Sequence, residues 1–203
     1  LVSRRTNALL YFDQKQNSRI KEQKKKMNMK SIWGTLFVSL FACVAGLRAA
    51  TYTANFEGTS ETKTSYAAGN VTLSGLSWQI GPQAVIGTDA TSDIKNGTRA
   101  ARLRLNSSEY GSITMLADKI NGIGTVSFLY ARSNFSGDRT GTAPSFVVEY
   151  SANEGSSWSQ VGSVTSLAGI DSLTPFSETI NKPGSGRIRI RQTAGTTDKR
   201  WNI

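Results

Sequence analysis

Between residues 125 and 151 apolar and polar side chains alternate with a period of two. In 125–131 (TVSFLYA) Val126, Phe128 and Tyr130 share one face, and in 145–151 (SFVVEYS) Phe146, Val148 and Tyr150 do the same. An extended chain turns successive side chains to opposite faces, so each segment predicts a half-buried β-strand. The pattern recurs at 99–105 (RAARLRL) and 187–193 (RIRIRQT). There Leu103, Leu105, Ile188 and Ile190 take one face and Arg102, Arg104, Arg187, Arg189 and Arg191 the other. Further strands are expected at 51–57, 71–80, 111–115, 157–162 and 175–180, with a last one in DKRWNI (198–203). No window carries a helical period. KNGT (95–98), NEGSS (153–157) and KPGSG (182–186) supply residues that tolerate positive φ between strands. About nine or ten short strands, too few for a propeller, predict an all-β fold: an antiparallel, jelly-roll-like β-sandwich.

Charge divides the chain. Of 203 residues, Lys and Arg number 24 and Asp and Glu 14; residues 1–50 hold ten basic and two acidic side chains, and 51–203 the other 14 and 12. The expected sandwich is therefore almost neutral, and nucleic acid is not expected among its partners. The asymmetry has a local cause. Lys24, Lys25, Lys26 and Lys30 precede an apolar run over 32–46, followed by Ala49 and Ala50. That is the layout of a secretory signal, too short for a comfortable membrane span. The reading is a preface at 1–26 that is not native to the product, a helical signal peptide at 27–50 starting at Met27 or Met29, and one β-sandwich domain at 51–203. A secreted or cell-surface product follows. The membrane enters only through the signal or through a lipid on Cys43, whose LFAC context is a poor lipobox because of Phe41.

Several chemistries drop out. The chain has no histidine, and its single cysteine, Cys43, lies in the signal. Histidine-dependent triads and His-ligated zinc are excluded, as are disulfides in the exported part. The acids Glu57, Asp89, Asp93, Asp118, Asp138, Glu149 and Asp171 are scattered through loops with no motif joining them, so no glycosidase pair is legible. The segment is expected not to be an enzyme. Ser151, Asn153, Gly155 and Trp158 have the spacing of an Asp box with Asn in the Asp position, which predicts a hairpin-folding device. Trp78, followed closely by Gly81 and Pro82, is the tryptophan expected to be exposed and able to stack on a sugar. If the strands bearing Arg102 and Arg104 and Arg187, Arg189 and Arg191 are neighbours, five guanidinium groups make a surface for carboxylates or phosphates. The alternative is an ordinary solvated strand face.

The pieces NFEG (55–58), KTSYAAGNVTLSGLSW (63–78), GTVSFLYA (124–131), VEYSANEGSSWSQVG (148–162) and RIRIRQTAGTTDKRWNI (187–203) run in an order that resembles a jelly-roll module of secreted bacterial proteins, more distantly similar to meprin-type (MAM) sandwiches. The resemblance implies a non-catalytic accessory unit, with a polysaccharide or cell-surface glycan as the expected partner. Alternatively, it implies the leading domain of a secreted hydrolase or nuclease whose catalytic domain lies beyond Ile203. In the related sandwiches an N-terminal Glu and acids of a C-terminal "DDI" element meet at a cation, often Ca²⁺. Glu57 matches the first element and Asn202 opens the second. No cofactor follows from the residues themselves; Ca²⁺ is implied only for a longer protein, and the domain is expected to lack its last few residues.

Overall fold

The computed structural model describes residues 51–203. The expected preface, the expected signal peptide and Cys43 lie outside the described residues. Among the described residues twelve strands form two antiparallel sheets, so the all-β sandwich legible in the alternation is the fold found. In chain order they are β1 (Gly69–Leu73), β2 (Leu76–Ile80), β3 (Ala84–Gly87), β4 (Ala100–Asn106), β5 (Glu109–Tyr110), β6 (Ser112–Met115), β7 (Ile123–Arg132), β8 (Ser145–Ser151), β9 (Ser159–Val164), β10 (Thr174–Lys182), β11 (Arg187–Ala194) and β12 (Arg200–Asn202). One sheet has the order β1-β2-β6-β11-β8-β9. The other runs β10-β7-β12-β4-β3, with β5 on β4.

Two expectations change. Residues 71–80 are not one strand but the hairpin β1–β2, because Ser74 and Gly75 both take positive φ (44° and 87°), as a tight two-residue turn requires. Residues 51–57 belong to neither sheet. Their alternation is satisfied by packing instead: Tyr52 stacks against Trp78, its hydroxyl donates to the Leu73 carbonyl (2.5 Å) and accepts from Trp78 Nε1 (2.8 Å).

The inner faces interdigitate as the period-two pattern dictates. Ile113, Met115, Ile188, Ile190, Phe146 and Val148 come from one sheet; Ala101, Leu103, Tyr130, Phe176 and Trp201 come from the other. Trp201 lies parallel to Phe146 at 4.9 Å, and Phe146 meets Tyr130 edge-on at 5.2 Å. β12, only three residues long, sits between β7 and β4 and so ties the sheet together.

The Asp-box spacing builds a hairpin end between β8 and β9. The Ser151 hydroxyl accepts from the Gly155 amide (2.9 Å), and Asn153 Oδ1 accepts from the Ser157 amide (2.9 Å). Glu154 and Gly155 carry the positive φ values (58° and 87°) that close the turn.

Candidate functional site

The arginines of β11 and β4 do point outward, but they do not share a surface. β11 is paired with β6 and β8 in one sheet, whereas β4 is paired with β3 and β12 in the other. Outward therefore means opposite sides of the sandwich, and the expected five-guanidinium face does not form.

On the β11 side every arginine has an acidic partner, with Glu149 shared by two of them. Arg189 Nε reaches Glu149 Oε2 at 2.7 Å and Arg191 Nη2 reaches Glu149 Oε1 at 3.0 Å; Arg187 Nε reaches Asp118 at 2.5 Å, and its Nη1 donates to the Glu154 carbonyl at 2.6 Å. The Trp158 ring lies 4.5 Å beneath the Arg189 guanidinium. This is a self-satisfied strand face. Burial alone would raise the Glu149 carboxyl, but hydrogen bonds from Arg191 and Arg189 outweigh it and hold it below its ordinary value of 4.5. A folded pKa lowered in this way stabilises the fold above the ordinary carboxylate range, and that contribution is lost as the pH falls below about 4.5. The expected outcome is that Glu149→Gln flattens the fall in thermal midpoint between about pH 5 and about pH 3, measured by circular dichroism.

Trp78 is a correction: it is 7% exposed, on the inner face of β2, with its Nε1 satisfied by Tyr52. Inner-face alternation within β2 decided its side, and the Gly81 and Pro82 that follow did not. Glu57 and Asn202 are a second correction. The Thr98 hydroxyl and the Arg99 and Thr98 amides hold the Glu57 carboxyl below its ordinary range. Asn202 Oδ1 accepts from the Ile94 amide (3.1 Å) and its Nδ2 donates to Asp93 (2.9 Å). Among the described residues the two side chains share no partner, and Asn202 turns an N–H toward Asp93. They do not fit a Ca²⁺ site, and among the described residues no cluster of three His, Cys, Asp or Glu side chains could hold a metal.

What the tertiary structure does assemble is a cleft of about 380 Å³ on the outer face of the β4–β12 region. Its base is a cross-strand pair, Arg104 opposite Arg200. Arg104 lies 3.8 Å over the Tyr66 ring and is held by Gln83 (3.0 Å) and Asp198 (2.9 Å). Arg200 lies 5.0 Å over the Phe135 ring and is held by Asp138 (2.8 Å), whose side chain is 4% exposed. Arg102 forms a two-pronged pair with Asp93 at 2.6 and 2.7 Å. Lys199 Nζ donates to the Gly137 carbonyl (2.5 Å) and the Thr140 hydroxyl (3.1 Å), and among the described residues no carboxylate is paired to it. Phe135, at the head of the 3₁₀ turn Ser136–Arg139, is 49% exposed. Of the expected ligand residues, Arg102 and Arg104 line this cleft. Tyr66, Phe135, Lys199 and Arg200 escaped sequence reasoning. Only the outward phase of Arg200 beside the inward Trp201 could have flagged one of them.

No family model matches the sequence, and no curated protein matches it. Among solved structures, TmCBM61 in complex with β-1,4-galactotriose aligns over 62% of this chain and 81% of that chain, with 12% identity and a TM-score of 0.40. The class defined by the fold itself is an antiparallel β-sandwich with an aromatic-edged, cationic cleft outside one sheet.

Proposed function

We propose that this chain is a secreted, non-catalytic accessory module that binds an acidic polysaccharide or cell-surface glycan in the cleft between Tyr66 and Phe135. In this reading residues 27–50 direct export and 51–203 form the binding domain. The observation that carries the proposal is Phe135: a large aromatic left half-exposed beside Arg200 and Lys199. An exposed ring offers a sugar an apolar face, and the surrounding guanidinium and ammonium groups offer its carboxylates or sulfates charge-assisted hydrogen bonds. The cleft lining carries four cations, Arg102, Arg104, Lys199 and Arg200, and two acids, Asp138 and Asp198, while Asp93, outside the lining, pairs with Arg102. Both acids are already bonded to arginines, which supports recognition and not general acid–base work, where a free carboxylate pair is needed.

The test is binding of the purified protein to a panel of neutral and acidic polysaccharides at two salt concentrations. Phe135→Ala is expected to weaken binding at least about tenfold, as loss of a central aromatic anchor does, and Lys199→Ala to reduce the salt dependence. Both keep the thermal midpoint. Arg189→Ala/Arg191→Ala, on the other side of the sandwich, leaves affinity unchanged. Acidic-glycan binding that is indifferent to Phe135→Ala and Lys199→Ala sinks the cleft assignment.

A further inference from the structure

The cleft outside β4 and β12 carries more side-chain N–H groups than its neighbours use. An arginine has five, set in a planar fork of Nε, Nη1 and Nη2, and a lysine has three. Arg102 spends Nε (2.6 Å) and Nη2 (2.7 Å) on Asp93. Arg104 spends Nε on Gln83 (3.0 Å) and Nη1 on Asp198 (2.9 Å), and Arg200 spends Nε on Asp138 (2.8 Å). Among the described residues, Arg200 keeps both terminal nitrogens and Arg104 keeps Nη2. Lys199, bonded to the Gly137 carbonyl and the Thr140 hydroxyl, keeps one N–H.

These donors are held in place, and they belong to different elements. Arg104 and Arg200 face each other across the β4–β12 ladder, where opposed side chains start about 5 Å apart. The Tyr66 ring supports one guanidinium at 3.8 Å and the Phe135 ring supports the other at 5.0 Å. Lys199 is anchored on the turn Ser136–Arg139 through Gly137, and it lines the same cleft.

We infer, resting on the assignment of this cleft to a glycan, that the acidic group it selects is a sulfate ester on a sugar hydroxyl and not a uronate carboxylate. A carboxylate is planar, has two oxygens and is best met by one complete fork. Arg200 alone has both terminal nitrogens to offer, so a carboxylate seated there leaves the donors of Arg104 and Lys199 unmatched. A sulfate ester spreads three terminal oxygens around a tetrahedral sulfur, and separate donors on Arg200, Arg104 and Lys199 suit it. Charge narrows the choice among tetrahedral groups. Arg102, Arg104 and Arg200 each already share an acid, which leaves little positive charge over. That favours a monoanionic sulfate ester over a phosphate monoester, which carries about −1.5 to −2 at neutral pH.

The experiment uses the full chain and dextran carrying one kind of acidic group at equal substitution: sulfate, phosphate or carboxymethyl, with plain dextran as the neutral control. Calorimetry at fixed ionic strength is the readout. Dextran sulfate is expected to bind at least about tenfold more tightly than carboxymethyl dextran, the worth of about one charge-assisted hydrogen bond. Lys199→Ala is expected to narrow that ratio, because it removes a donor that the carboxylate leaves unused. A lysine with only a structural role would weaken both polymers alike. Equal or tighter binding of carboxymethyl dextran, still weakened by Phe135→Ala, overturns the sulfate preference and leaves the cleft assignment standing. Tighter binding of dextran phosphate overturns the preference as well. Binding indifferent to both Phe135→Ala and Lys199→Ala, or no binding of any acidic polymer, brings down the cleft assignment and the sulfate preference together.

Discussion

Trp201→Ala is expected to lower the unfolding free energy by about 3–5 kcal/mol, the usual cost of deleting a fully buried large aromatic. For a domain of this size that corresponds to a fall of about 6–20 °C in the thermal midpoint. Trp201 has no exposed surface, stacks on Phe146 at 4.9 Å and donates Nε1 to Gln192 Oε1 at 3.0 Å. Alanine opens a cavity between the sheets and strips a buried amide oxygen of its donor. It does so on the three-residue strand that joins β7 to β4. Trp201→Phe keeps a ring against Phe146 and loses the hydrogen bond, so its expected cost is smaller, about 1–3 kcal/mol. Urea unfolding of the three proteins checks the order. A loss under about 1 kcal/mol for Trp201→Ala is incompatible with a core centred on this stack.

Asp93→Ala is expected to cost a similar amount, about 3–5 kcal/mol, for an electrostatic reason. The Asp93 side chain is 1% exposed and its two oxygens serve four donors. Oδ1 accepts from Arg102 Nε (2.6 Å) and Asn202 Nδ2 (2.9 Å), and Oδ2 accepts from Arg102 Nη2 (2.7 Å) and the Asp89 amide (2.9 Å). Removing the carboxylate leaves the guanidinium without its close counter-charge, since Asp89 approaches it only to 3.5 Å. Asp93→Leu/Arg102→Met removes both charges together and is expected to recover much of the loss, because desolvating the pair offsets much of its attraction. The cycle, measured by denaturant unfolding, also isolates Arg102 as a ligand group. A stable double variant that binds acidic glycan less tightly assigns Arg102 to the cleft, and one that binds equally well leaves it as scaffold.

Much of the architecture was legible because strand alternation is a local property. Ile188 and Ile190 inward with Arg187, Arg189 and Arg191 outward is how β11 lies, and Leu103 with Arg102 and Arg104 describes β4 equally well. The Ser151–Trp158 spacing forecast a turn made by short side chains bonding nearby amides, and it is found. Residues 51–57 show where the pattern runs out: alternation marks a chain with one apolar face, and packing against Trp78 satisfies that face as well as a ladder does. Trp78 faces inward because its phase in β2 decides its side, whatever turn residues follow it.

The sequence by itself determined the two-sheet class, the inner and outer side of most strands, the turns and the absence of histidine chemistry. Each of these depends on spacings of a few residues. Only the tertiary structure decided which strands became neighbours: β4 meets β12 across about a hundred residues of chain, which sets Arg104 opposite Arg200 and carries Arg102 away from Arg189. It also decided that Glu149 bridges two arginines and that Phe135 and Tyr66 flank a cleft. Pairing of this kind follows from closing long loops around one shared core, and a period of two along a single strand carries no information about which edge that strand will find.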